Sequence, residues 1–132
     1  FLVHLMKDDR SEVGRLLDKY PNMYYSLDAE ISYIFGYQTI QNNKGPTKEE
    51  YLNSLKTNFD KQLNDVLAFW KPIIEAHPDQ LTWGSDRWFT WHFDQEVGAL
   101  MVEFGRSFIG NLDPAVQEKF AYKNAEAMLR NR

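Results

Sequence analysis

The sequence predicts an α/β domain organised around a small parallel sheet. Short apolar runs at residues 1–5, 23–27 and 81–84 are typical of buried strands, and longer amphipathic segments separate and follow them. Strands that alternate with helices favour right-handed βαβ units, in which the strands lie parallel. The length of 132 residues suits one compact unit, and it is too short for a complete (β/α)8 barrel, which needs about 250 residues.

The N-terminal part is predicted to contain two strands and a helix. Phe1–Leu5 indicates a buried strand with no chain leading into it, so we expect further residues upstream. Ser11 stands where a helix N-cap is expected, and Pro21 ends that helix. Met23–Leu27 is rich in strand-forming residues, and the turn-rich stretch from Ile31 to Gly45 indicates a long loop.

The longest helix is predicted after this loop. Thr47 and Glu50 form a capping-box pattern, and apolar residues then recur at helical spacing as far as Trp70. Pro72 should kink or end the helix, because proline lacks the backbone donor that a helix interior needs. The apolar residues after it indicate that a helical segment continues toward His77.

A third strand and two helices complete the prediction. The strand is Leu81–Gly84, Asp94 is placed to cap the next helix, and Gly110 is placed just past its end. Asp113–Pro114 is a helix-start signal, with proline at the first helical position. The helices carry more apolar surface than three short strands can cover, so we expect neighbouring elements outside this chain.

Composition limits the class of partner. The net charge of -4 and the pI near 5.3 provide no broad positive field, which argues against nucleic acid and anionic membranes. The chain has no cysteine and no stretch of about 18 apolar residues, which excludes thiolate chemistry and a spanning helix within it. We expect a small-molecule substrate. The location stays open, and the lack of a targeting segment in the chain as given favours the cytoplasm.

His4 and Asp86 are the candidate catalytic and metal-binding residues. His4 lies near the end of the first predicted strand, and Asp86 follows the third. The carboxyl ends of parallel strands face the ligand, so both side chains could bind one divalent metal, with Asp86 also able to accept a proton. The alternative is a hydrogen-bonded structural histidine and an aspartate that only caps the following segment.

The residues after Asp86 are candidates for substrate binding. Arg87 could pair with a substrate carboxylate through its planar guanidinium, or form a salt bridge to a nearby acid. Trp88, Trp91 and His92 belong to the densest aromatic stretch of the chain and could form a wall around the substrate. Equally, these rings could close the end of the sheet or pack beneath a neighbouring segment.

Four segments in order carry a resemblance to a known family: the strand-end His4, Leu17–Tyr24, His77–Asp86 and Asn124–Leu129. Together they resemble the C-terminal part of the amidohydrolase-related metal-dependent hydrolases. This branch of the amidohydrolase superfamily includes decarboxylases such as aminocarboxymuconate-semialdehyde decarboxylase. The resemblance covers most of the chain apart from a stretch of residues from about 31 to 71.

The resemblance implies a fold and a metal site. The chain would be the C-terminal part, about three βα units, of a (β/α)8 TIM barrel, with its strands as the sixth to eighth. His4 and Asp86 would bind the metal, which would be zinc, and the remaining ligands would lie upstream. A catalytic zinc needs about three protein ligands, so we expect no activity from this chain alone.

Two functions follow as hypotheses from different classes. The first is the C-terminal segment of a metal-dependent hydrolase or decarboxylase that acts on a small carbonyl or carboxylate compound. The second is a complete small α/β binding module that uses the aromatic surface from Trp88 to Phe93 and performs no catalysis. In either case the exposed edges of a small sheet predict a homo-oligomer, or association with the missing N-terminal half.

Overall fold

The computed structural model describes residues 10–27, 46–87 and 89–130, and within these ranges helices dominate. The predicted fold class, three βα units of a TIM barrel, is wrong for this part of the chain. It contains one sheet of two parallel strands, β1 (Tyr25–Leu27) and β2 (Leu81–Trp83). Each strand has three residues, so the apolar surface of the helices packs mainly on other helices. The predicted strand Phe1–Leu5 and the loop 31–45 lie outside the described residues.

The first helix and the two strands form one side of the core. Helix α1 (Arg10–Lys19) begins before Ser11, so the predicted N-cap lies inside the helix. Tyr25 pairs with Leu81 and Leu27 with Trp83, and both strands are largely buried. The two strands pair in parallel, but the described residues contain no series of βα units.

Helix α2 (Lys48–Ala76) connects the strands and begins as predicted. Thr47 and Glu50 make both hydrogen bonds of the capping box. Pro72 does not end the helix, because Ile73 and Ile74 beyond it are buried in the core and hold the last turn in place. The non-helical residue within α2 is instead Asn58 (φ -117°, ψ 16°).

Helix α3 (Gln95–Gly110) packs against α2, after a 3-10 turn at Thr90–Phe93. Asp94 stands at its N-cap position, but the Asp94 carboxylate makes no capping hydrogen bond. It pairs with Lys48 of α2 instead, so an interhelical ion pair replaces the predicted cap. In the core between the helices, the rings of Phe59 and Phe104 meet edge to face at 5.4 Å.

The C-terminal helix is one rod with an irregular centre. It comprises α4 (Pro114–Glu118), a π-helical turn (Lys119–Lys123) and α5 (Asn124–Arg130). Asp113 caps it as predicted, because its carboxylate accepts a hydrogen bond from Ala115 N at 2.8 Å. The rod packs on β2, which places the carboxyl end of that strand between the rod and α3.

Candidate functional site

The candidate site begins at the carboxyl end of β2, where the chain turns sharply. Asp86 follows the strand by three residues and has a positive φ of 40°. The left-handed region is unfavourable for residues other than glycine by about 1–2 kcal/mol, although aspartate tolerates it better than most. This turn directs Arg87 toward α3, so the sequence expectation that Asp86 and Arg87 stand at a strand's carboxyl end is confirmed.

The Arg87 side chain lies against α3 at Gly98. Its Nη2 donates one long hydrogen bond, 3.5 Å, to Gly98 O. Its Nε is buried and makes no hydrogen bond, and among the described residues no carboxylate forms an ion pair with the guanidinium. A partly buried charge without a counter-ion is unfavourable, because desolvation is not offset by a partner.

His92 is the second group of the site and lies on the 3-10 turn. It is 3% exposed, and its ring contacts Trp91, Phe89 and Tyr51 at centroid distances of 4.3, 5.2 and 5.5 Å. Burial lowers the pKa of His92, and the positive charge of Arg87 lowers it further, against an opposing effect of Asp86. The imidazole is therefore neutral at neutral pH and sits within the electric field of Asp86 and Arg87.

Tyr51 completes the site from α2, and sequence reasoning did not single it out. It is buried one turn after the N-cap residue Thr47, where its ring meets Trp91 at 5.1 Å. Burial raises the pKa of Tyr51, with a smaller opposing effect of Arg87, so the phenol stays protonated. In the sequence Tyr51 is one apolar residue among many on that helix face, and only its contact with the 3-10 turn distinguishes it.

The aromatic stretch largely packs on itself. Phe89 and Trp91 stack at 4.9 Å with an interplanar angle of 11°, and His92 meets the edges of both. Phe93 points outward and is 66% exposed. Trp88, one of the predicted substrate-binding residues, lies outside the described residues. Trp91 and His92 therefore belong to a packed aromatic cluster between α2 and the 3-10 turn, and Arg87 lies beside this cluster.

The described residues do not form the metal site that the resemblance implies. His4 lies outside them, and within them no three His, Cys, Asp or Glu side chains are grouped as ligands. A catalytic zinc needs about three, so Asp86 and its neighbours do not fit the ion by themselves. The pairing of His4 with Asp86 stays a prediction.

No protein-family description matches the chain, and neither the curated proteins nor the solved structures contain a significant match to it. Across residues 10–27, 46–87 and 89–130, no helix combines the length and apolar character needed to cross a membrane.

Proposed function

We propose that this chain carries the carboxylate-recognition part of a hydrolase or decarboxylase site for small carbonyl or carboxylate compounds. Arg87 binds the substrate carboxylate and Asp86 handles the proton. The reaction class comes from the resemblance around Asp86. The ligand class comes from the structure around Arg87.

The observation that carries the proposal is the partly buried Arg87 guanidinium with no carboxylate partner among the described residues. A small carboxylate that docks on its outer nitrogens supplies the missing negative charge through charge-assisted hydrogen bonds. Two other arginines pair within their own helices, Arg15 with Glu12 and Arg130 with Glu126. Arg87 is thus suited to an external anion.

The neighbouring groups have complementary roles. Asp86 is a carboxylate beside the bound anion, and it can accept a proton from water or from the substrate. Neutral His92 and the protonated Tyr51 phenol add no charge, so Arg87 is the cation among the described groups of this cluster. The field of the site therefore favours a monoanion that binds at Arg87 with its reactive carbon toward Asp86.

The second hypothesis, a binding module that uses the aromatic surface, has one specific observation in its favour, which is the exposed ring of Phe93. The mutual packing of Phe89, Trp91 and His92 favours a stabilising role for the rest of the stretch. A Phe93→Ala variant that keeps full ligand affinity supports Arg87, not the aromatic surface, as the recognition element.

The recognition step is tested by titrating the purified chain with benzoate and with uncharged benzamide, followed by the NMR signals of the His92 ring. We expect benzoate to bind with a millimolar Kd and benzamide not to bind. Arg87→Gln should abolish benzoate binding, whereas Arg106→Gln, at an exposed position on α3, should leave it unchanged. Equal binding of benzoate and benzamide, or full affinity in Arg87→Gln, rejects the proposal.

The role of Asp86 has its own variant. Asp86→Asn keeps a residue that tolerates the left-handed backbone and removes the negative charge beside the ligand. We expect benzoate to bind this variant more tightly, because charge repulsion is removed while the guanidinium stays. Weaker binding would show that Asp86 organises the site sterically and would argue against a proton-handling role.

A further inference from the structure

Gly105 of α3 is in close contact with the indole ring of Trp83, the last residue of β2. A Cβ atom at Gly105 would lie 2.7 Å from Trp83 Cζ2 and 3.3 Å from Cε2 and Cη2. Carbon atoms in contact normally stay about 3.5–4.0 Å apart, so a side chain at Gly105 would displace the ring. Phe108 and Phe120 contact the same ring, with centroids at 6.0 and 6.1 Å.

The same helix also receives Arg87. Gly98 stands seven residues before Gly105, which is about two turns, so both glycines lie on one face of α3. At Gly98 the nearest atom to an added Cβ is Arg87 Nη1, at an ordinary contact distance of 3.7 Å. Trp83 and Arg87, which lie on either side of the turn at Asp86, therefore contact the same face of α3.

We propose that Gly105 is a positioning residue for the carboxylate site, because its close contact with the Trp83 ring determines where Arg87 meets α3. Only three residues, Gly84–Asp86, separate Trp83 from Arg87, and Asp86 is held in the left-handed region. So short a connection transmits a displacement of Trp83 to Arg87. The effect on ligand binding rests on the proposed function, whereas the effect on the position of Arg87 does not.

A methyl group at Gly105 needs a shift of the indole ring on the order of 1 Å to restore normal contacts. The rings of Phe108 and Phe120 resist a sideways movement, so the ring moves together with the end of β2. A methyl group at Gly98 meets the guanidinium at a normal distance and requires no such shift. The two glycines thus differ in what a single added carbon does.

The test compares Gly105→Ala with Gly14→Ala, where an added Cβ meets nothing within 4 Å. Two quantities are measured well below the melting temperature: the Kd for benzoate and the NMR titration midpoint of His92. We expect Gly105→Ala to weaken benzoate binding at least tenfold and to raise the His92 midpoint, since Arg87 moves away from the imidazole. Gly14→Ala should change neither.

A smaller ring at position 83 should restore the ligand binding that Gly105→Ala weakens. Trp83→Phe leaves a gap over Gly105, and the methyl group of Gly105→Ala fills it, so the double variant should bind benzoate more tightly than either single variant. Trp83→Phe alone, which introduces no clash, should weaken binding severalfold even if Gly105→Ala does not fold. Unchanged benzoate binding in Trp83→Phe overturns the proposal.

The outcomes separate this inference from the proposed function. If the wild-type chain binds no benzoate, the proposed function fails, and the His92 midpoint alone decides the positioning role. If Gly105→Ala lowers the melting temperature but leaves both the Kd and the midpoint unchanged, Gly105 serves packing only and the inference is wrong.

Discussion

The two ends of β2 differ in how completely their polar groups are paired. At the amino end, Gln80 Nε2 donates to the carbonyl oxygens of Leu17, Tyr20 and Met23, at 3.0–3.2 Å. Asn124 Nδ2 donates to Pro78 O and Leu81 O at 2.9 and 2.8 Å, and this side chain is 5% exposed. The amino end is therefore anchored to both α1 and the C-terminal helix.

The carboxyl end has the opposite character. The backbone at Asp86 is in the left-handed region, and Arg87 makes one long hydrogen bond to the described residues. A strand of three residues can therefore have its polar surroundings fully paired at one end while Arg87 Nε at the other end makes no hydrogen bond to the described residues. Unfavourable local conformations persist where the surroundings hold them in place, and they concentrate at functional sites.

The largest expected effect is at the anchored end. Asn124→Ala removes two hydrogen bonds and leaves buried carbonyl oxygens without a donor, so the free energy of unfolding should fall by about 3 kcal/mol. Urea unfolding measures this change. Asn111→Ala is the matched control, because Asn111 is exposed and its amide bonds only Ser107 O. A loss at Asn124 no greater than at Asn111 would contradict the contrast between the two ends.

The carboxyl end should be the acid-sensitive one. Because the folded state lowers the pKa of His92, the unfolded chain binds the proton more readily. Stability should therefore be complete above the ordinary histidine pKa of about 6.5 and decline as the pH falls below it toward the lower folded value. Melting temperatures between pH 7.5 and 5 should fall more steeply for the wild type than for His92→Phe. Parallel curves would show that His92 makes no such contribution.

The smallest effect should come from removing the charge of Arg87. Arg87→Met keeps the aliphatic stem and removes a partly buried guanidinium that lacks a described carboxylate partner, so stability should stay the same or rise by up to about 1 kcal/mol. Arg106→Met on the exposed side of α3 should change little. A clear loss of stability in Arg87→Met alone would mean that its hydrogen bond to Gly98 is structurally important, and the two ends of β2 would then be more alike.

Local signals in the sequence predicted the local features well. The capping box at Thr47 and Glu50, the start at Asp113 and the core positions of the strands depend on residues close in sequence, and the structure confirms them. Asp94 was predicted as a cap and instead pairs with Lys48, because a partner 46 residues away competes for its carboxylate. No local pattern carries that information.

The residues of the candidate site also differ in whether the sequence could predict their place. The position of Asp86 and Arg87 after a strand followed from residue order alone, since a Gly-Ser pair ends an apolar run there. The role of Tyr51 and the contact of Gly105 with Trp83 could not be found in this way, because each depends on which helix face meets the turn. His4 and Trp88, both predicted for the site, lie outside the described residues, so their roles stay predictions.

Local sequence patterns specify where α2 and α4 begin, which residues are apolar, and that Asp86 and Arg87 follow a strand. Caps, apolar periodicity and turn residues act over a few positions, so they can be recognised without a fold. Tertiary packing determined that the helices pack on one another around two short strands, which the expected barrel units did not anticipate. It also decided that Arg87 meets Gly98, because burial and charge pairing depend on segments distant in sequence.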